Sequence, residues 1–207
     1  MNYIELFGYP LSGKSTLLRN LDETSPFKYN LSKTDRSIYR MLSTIWFLLI
    51  NRDLIHLYLK LPIKKYNFFS SIRKFFSFAS NYKEYLKFQA STNKNILDEG
   101  LCQGIWGLLT FFDYEDYRKE ITILVNLYFE TLLINNNFLV VKMNHVNFDE
   151  FKRRSLKRPF HHSYIVSKLN RNNEKLDIYN FSYELILNKV MGFNSLINQQ
   201  ELINYIK

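Results

Sequence analysis

Gly8, Gly13, Lys14 and Ser15 stand in the segment GYPLSGKS, which has the spacing G-x-x-x-x-G-K-[ST]. Residues of these types at this spacing could hold a phosphate chain. The glycines let the backbone turn tightly with its N–H groups aimed inward as an anion nest. A helix opening at Lys14 adds the positive end of its dipole. Lys14 can reach β- and γ-phosphates, and the Ser15 hydroxyl can ligate Mg²⁺. Ser12 and Thr16 complete the group of candidate nucleotide contacts. An ordinary glycine turn before a helix is the plainer reading, but it does not account for Lys, Ser and Thr following in that order.

A second acidic element could complete that chemistry. In NILDEG, a strand ending at Asp98 would bring a carboxylate to the carboxyl edge of a sheet, where α/β folds bind ligands. Asp98 could hold Mg²⁺ directly or through water. Glu99 has three options: general base, water-positioning group or outer contact to the metal. Acidic residues that favour a helix N-terminus are the alternative for both. A third element, FDEFKRRSLKRPFHH, gathers Arg153, Arg154 and Arg158 within two turns. Arginines there could fold over a nucleotide and stabilise charge on a transferring phosphoryl group; otherwise they form a solvated basic face. Arg154 and Arg158, at i and i+4, could act from one helix face.

The elements needed to position these residues are legible as alternating strands and helices. Tyr3 to Phe7 reads as a buried strand, Lys14 to Leu21 as a helix, and Phe27 to Leu31 as a short strand. From Asp35 to about Lys60 the spacing of Ile38, Leu42, Ile45, Leu49 and Leu54 is helical, with Pro62 as its stop. Tyr66 to Ala90 reads as a basic helix rich in aromatics: rings at helical spacing point to core with a solvated basic edge, while base stacking with phosphate contacts, an anionic membrane surface, an acceptor lid and a dimer surface stay open. The strand of NILDEG follows, then helices over 101–112 and 114–134, then the strand FLVVKM. Short helices are expected over 148–157 and 161–170, and a longer one over 174–190. A strand near 193–197 and a closing helix complete the chain. Strands separated by helices imply βαβ units and a parallel sheet. With no internal repeat and no linker, residues 1–207 read as one domain. Gly100, Gly104 and Gly107 recur along one helix and suggest close packing.

The chain has 207 residues and a formal net charge of +9, which suits anionic partners. Hydrophobic residues make up 46%, enough for a core and too many for a disordered chain. Its single cysteine, Cys102, excludes an internal disulfide framework and fits a reducing compartment. That residue reads as a small apolar filler. The opening residues form a strand and a loop rather than a leader, and the longest apolar run is too short to span a bilayer. The expectation is therefore a cytoplasmic protein with no transmembrane segment. His56, His145, His161 and His162 lack the spacing of a helical metal pair.

The combination of FGYPLSGKSTL, NILDEG and VVKMNHVNFDEFKRRSLKR resembles the nucleotide and nucleoside kinase branch of P-loop proteins, the thymidylate-kinase-like group. The likeness covers about a third of the chain. It implies an α/β fold of three layers, α/β/α, with a five-stranded parallel sheet. It also implies a helix-rich acceptor region over about residues 35–90 and an Arg-rich lid over about 148–162. ATP and Mg²⁺ are the cofactors it implies, with γ-phosphoryl transfer to a small acceptor. Asp35, Arg36 and Arg40 fall in the acceptor region, where they could bind the acceptor or serve as cap and solvent contacts. The chain departs from the group at Asp98-Glu99, where thymidylate kinases carry Asp-Arg. The resemblance thus names no acceptor: nucleotide, nucleoside and sugar all remain. Two other classes stay open. One is a P-loop ATPase or nucleotide switch acting on a macromolecular partner. The other is a nucleic-acid module, disfavoured because the basic residues are dispersed; no stable nucleic-acid partner is expected, and a homodimer is left open.

Overall fold

The structure, a computed structural model, describes residues 3–9, 12–22, 28–30, 38–62, 68–90, 95–98, 100–110, 112, 115–132, 138–143, 153, 173–193 and 196–206. Five short strands appear in it: β1 (Tyr3–Phe7), β2 (Lys28–Asn30), β3 (Asn95–Leu97), β4 (Phe138–Lys142) and β5 (Leu196–Asn198). Four parallel pairings join them in the order β2-β3-β1-β4-β5. Glu5 of β1 sits between Leu97 and Val140, and Phe7 lies beside Lys142. All five residues of β1 are buried, as expected for a strand flanked on both edges and covered on both faces.

Alternation along β1 divides the core in two. Ile4 and Leu6, with Ile96, Leu139 and Val141, face α1 (Lys14–Asp22) and α8 (Gln199–Ile206) through Leu18, Leu21 and Leu202. Tyr3 and Phe7 face the opposite, larger layer. That layer draws on α2 (Ile38–Ile50), α3 (Arg52–Leu59), α4 (Phe68–Gln89), α5 (Leu101–Leu109), α6 (Tyr117–Leu132) and α7 (Asn173–Gly192). The chain leaves β1 toward one face of the sheet, while α5, after β3, packs on the other. Such a reversal marks the kind of switch point at which α/β folds bind ligands.

Helices α2, α3 and α4 lie between β2 and β3, so the described part of the region over 35–90 is mostly helical. The segment expected as one helical stretch is in fact two. Asn51 leaves the helix at φ −99°, ψ 74°, and its side-chain amide donates to the Phe47 carbonyl at 2.8 Å. An asparagine side chain that competes for backbone partners in this way favours a helix boundary. The same segment does not bury its whole apolar spacing. Leu48 and Thr44 are buried, while Leu42, Trp46, Leu49 and Ile50 are exposed on the outer side of α2.

Helix α4 behaves as its spacing predicts: Phe75, Phe78, Ala79, Tyr82, Tyr85 and Phe88 form a buried stripe. The aromatics of this stripe are core, each large side chain contributing roughly 1.5–3 kcal/mol by leaving water. The three glycines near α5 do not share one role. A Cβ on Gly104 would press on Phe78 of α4 at 3.3 Å, one on Gly107 would meet nothing, and one on Gly100 would collide with side chains of β1. Among the described residues, no helix is long and apolar enough to cross a membrane.

Candidate functional site

The loop that follows β1 is built by local geometry. Met143, at the end of β4, donates its N–H to the Phe7 carbonyl at 2.9 Å and carries the β1–β4 ladder to the first glycine. A Cβ on Gly8 would stand 2.5 Å from the Met143 Cβ, so this position excludes any other residue without movement. The Ser12 N–H donates to the Tyr9 carbonyl at 3.1 Å, which closes a tight turn. Gly13 then adopts φ +95°, a conformation open to glycine and costly to other residues. Lys14 starts α1, and the bond from the Leu17 N–H to the Gly13 carbonyl, at 2.9 Å, is its first turn. Amides ahead of that bond have no partner within the helix and point out of its N-terminal end.

Lys14 is folded back on the loop. Its ammonium donates to the Gly8 carbonyl at 2.6 Å, to the Tyr9 carbonyl at 3.5 Å and to Gln103 Oε1 at 3.2 Å. Gln103 Oε1 also lies 3.5 Å from the Gly8 N–H. Ser15 and Thr16 are exposed in the first turn of α1. Ser12 is buried to 8% exposure, and among the described residues its Oγ has no hydrogen-bond partner. A cationic side chain, outward-pointing helix amides and an orphaned hydroxyl form a donor set that suits an anion of phosphate type.

Tyr9 ties this loop to the far helix. Its hydroxyl donates to Asn180 Oδ1 of α7 at 2.6 Å. Its ring tilts on Tyr183 at 4.7 Å and meets Trp106 edge-on at 5.2 Å. Asp98 follows Leu97, whose register partner is Glu5. It is partly buried and stands at the same carboxyl edge as the loop, on the strand next to β1. Arg153 is helical and exposed. Arg40 belongs to α2, but its side chain lies outside what is described. Asp35, Arg36, Glu99, Arg154 and Arg158 lie outside the described residues.

A buried network beneath the loop was not anticipated. Glu5 is fully buried in the middle of β1. Its carboxylate accepts the Gln103 N–H at 2.7 Å, the Cys102 N–H at 3.0 Å and the Tyr3 hydroxyl at 3.1 Å. The Tyr3 hydroxyl oxygen in turn accepts the Leu101 N–H at 3.0 Å. Gly100, at the N-cap of α5, has no side chain to offer. Two side chains of β1 therefore satisfy the first amides of α5 from outside the helix, with the carboxylate set against the positive end of its dipole. Burial raises the Glu5 carboxyl pKa, opposed by the two N–H donors, the Tyr3 hydroxyl and the charge of Lys14. Burial likewise pushes the Cys102 thiol well up, which leaves it an inert filler. The sequence signal was a lone acidic residue inside an apolar strand, YIELF, since a buried carboxylate requires partners.

No protein-family model, curated protein or solved structure matches this chain.

Proposed function

We propose that this chain is an ATP- and Mg²⁺-dependent small-molecule kinase of the P-loop, thymidylate-kinase-like kind. It would transfer the γ-phosphoryl group to a nucleotide, nucleoside or sugar-type acceptor. One observation carries the reading: a G-x-x-x-x-G-K-S loop closes the carboxyl end of the central strand of a parallel sheet, with Lys14 folded into its throat. In this proposal the amides around Gly8, Ser12 and Gly13, with Lys14 and Thr16, hold the phosphates. Ser15 and Asp98 hold Mg²⁺. The described residues contain no cluster of three or more His, Cys, Asp or Glu able to bind a metal, so phosphate oxygens and water would complete the coordination. ATP supplies the phosphoryl group, and the metal shields its charge. Glu99 orients or deprotonates the acceptor hydroxyl, Arg153, Arg154 and Arg158 close over the nucleotide, and Asp35, Arg36 and Arg40 face the acceptor. Positioning and charge stabilisation supply most of the rate.

The test is an acceptor panel with labelled ATP. Acceptor phosphorylation should appear, and Lys14→Ala should lower it by roughly 10²–10³-fold. Slow ATP hydrolysis alone, unchanged by Arg154→Ala, would overturn the kinase reading. A second reading, a nucleotide switch acting on a macromolecular partner, draws on the exposed apolar side of α2 at Leu42, Trp46, Leu49 and Ile50. Association that depends on nucleotide, without acceptor phosphorylation, distinguishes it.

A further inference from the structure

We propose that Gln103 is a positioning residue for Lys14, holding the ammonium inside the loop and handing it to a phosphate oxygen when nucleotide binds. The proposal rests on the phosphate-binding reading of the loop. Among the ammonium contacts described above, Gln103 Oε1, at 3.2 Å, is a side-chain acceptor; the other two are carbonyls of the loop itself. The same oxygen lies 3.5 Å from the Gly8 N–H, an amide of the anion nest. One carboxamide oxygen thus touches two donors that a phosphate oxygen would seek.

Gln103 is held where it can do this. Its backbone N–H donates to Glu5 Oε1 at 2.7 Å, and Glu5 is fully buried two residues before the end of β1. The strand that ends in the loop therefore grips the main chain of Gln103, and the loop grips its side chain. A neutral carboxamide suits the task. It binds an ammonium with a charge-assisted hydrogen bond, yet it carries no charge to outcompete an arriving phosphate. A carboxylate at this position would do so, because it would neutralise Lys14 and repel the anion.

The experiment compares wild type, Gln103→Glu and Gln103→Met in two readouts, with Lys14→Ala as a control in the first alone, each checked by thermal melting. The first is MgATP affinity by calorimetry. The second is the rate at which trinitrobenzenesulfonate labels Lys14, followed by peptide mass spectrometry. Gln103→Glu should weaken MgATP binding by roughly tenfold or more, an effect that diminishes with added salt. Gln103→Met should leave affinity within about threefold, while unprotected Lys14 labels roughly threefold faster because an acceptor has gone. Gln103→Asn, too short to span to Lys14, should label like Gln103→Met and serves if that variant does not fold. If wild type binds no MgATP, the phosphate-loop reading fails and takes this proposal with it. If wild type binds, Lys14→Ala does not, and the Gln103 variants match wild type in both readouts, the role of Gln103 alone is overturned.

Discussion

Glu5 accepts the backbone N–H of Gln103 at 2.7 Å, so a carboxylate inside β1 fixes the first turn of α5, whose side chain meets Lys14. Replacing it with glutamine would turn one of its two acceptor oxygens into a donor facing donors. Glu5→Gln should cost about 1–3 kcal/mol, measured by urea unfolding. The pH dependence has a definite sign. The native carboxyl pKa is raised above its ordinary value of 4.5, chiefly by burial. A raised pKa means the native state holds the proton more tightly than the unfolded one. The stability from that difference is complete below 4.5 and is lost as pH rises through the native value. The advantage of wild type over Glu5→Gln should therefore shrink as pH is raised from 4.5; an advantage that grows across that window would reject the assignment.

Two glycine-to-alanine changes should destabilise for different reasons. A Cβ at Gly100 would run into the Tyr3 hydroxyl and meet Glu5 Cδ at 2.5 Å, a packing conflict worth about 1–3 kcal/mol. At Gly13 an added Cβ would meet no described atom within 4 Å but φ is +95°, so the cost is backbone strain of about 1–2 kcal/mol. Double mutants separate the two. Gly100→Ala with Glu5→Gln should be clearly less than additive, since both disturb one contact, whereas Gly100→Ala with Gly13→Ala should add.

Tyr9 gives a graded pair. Tyr9→Phe removes only the hydroxyl bond to Asn180 and should cost about 1 kcal/mol. Tyr9→Ala also empties the ring site against Tyr183 and Trp106 and should cost about 3–5 kcal/mol. Equal melting temperatures for the two variants would show that the ring does not pack as described.

The two tryptophans should report their surroundings. Trp46 is 67% exposed, while Trp106 is fully buried and donates its indole N–H to the Tyr179 carbonyl at 3.0 Å. Trp46→Phe should change stability by less than about 0.5 kcal/mol. It should leave a blue-shifted emission that acrylamide quenches poorly. Strong quenching of the remaining tryptophan would contradict the placement of α5.

The loop from Gly8 to Ser15, the strands YIELF and FLVVK and the aromatic stripe of α4 were legible in the chain because each rests on short-range rules. These are residue spacing, the conformational freedom of glycine at Gly13 and the periodicity of apolar side chains. Asp98 was legible as the residue closing a short apolar strand. What one-dimensional pattern could not reveal was pairing across distance. Gln103 lies 89 positions from Lys14 and 98 from Glu5, and nothing local at either end marks the contact. Parallel strand order brings them together: β3 settles beside β1, and α5, starting at a glycine without a capping side chain, takes its cap from the neighbouring strand. Which apolar residues of α2 turn inward was likewise decided by packing, since Leu48 and Leu49 are chemically identical and only their angle about the helix axis buries one and exposes the other. Local sequence thus determined the elements and the shape of the turn, while the tertiary structure chose the partners, because a buried carboxylate or ammonium is satisfied only by whatever the fold delivers to it.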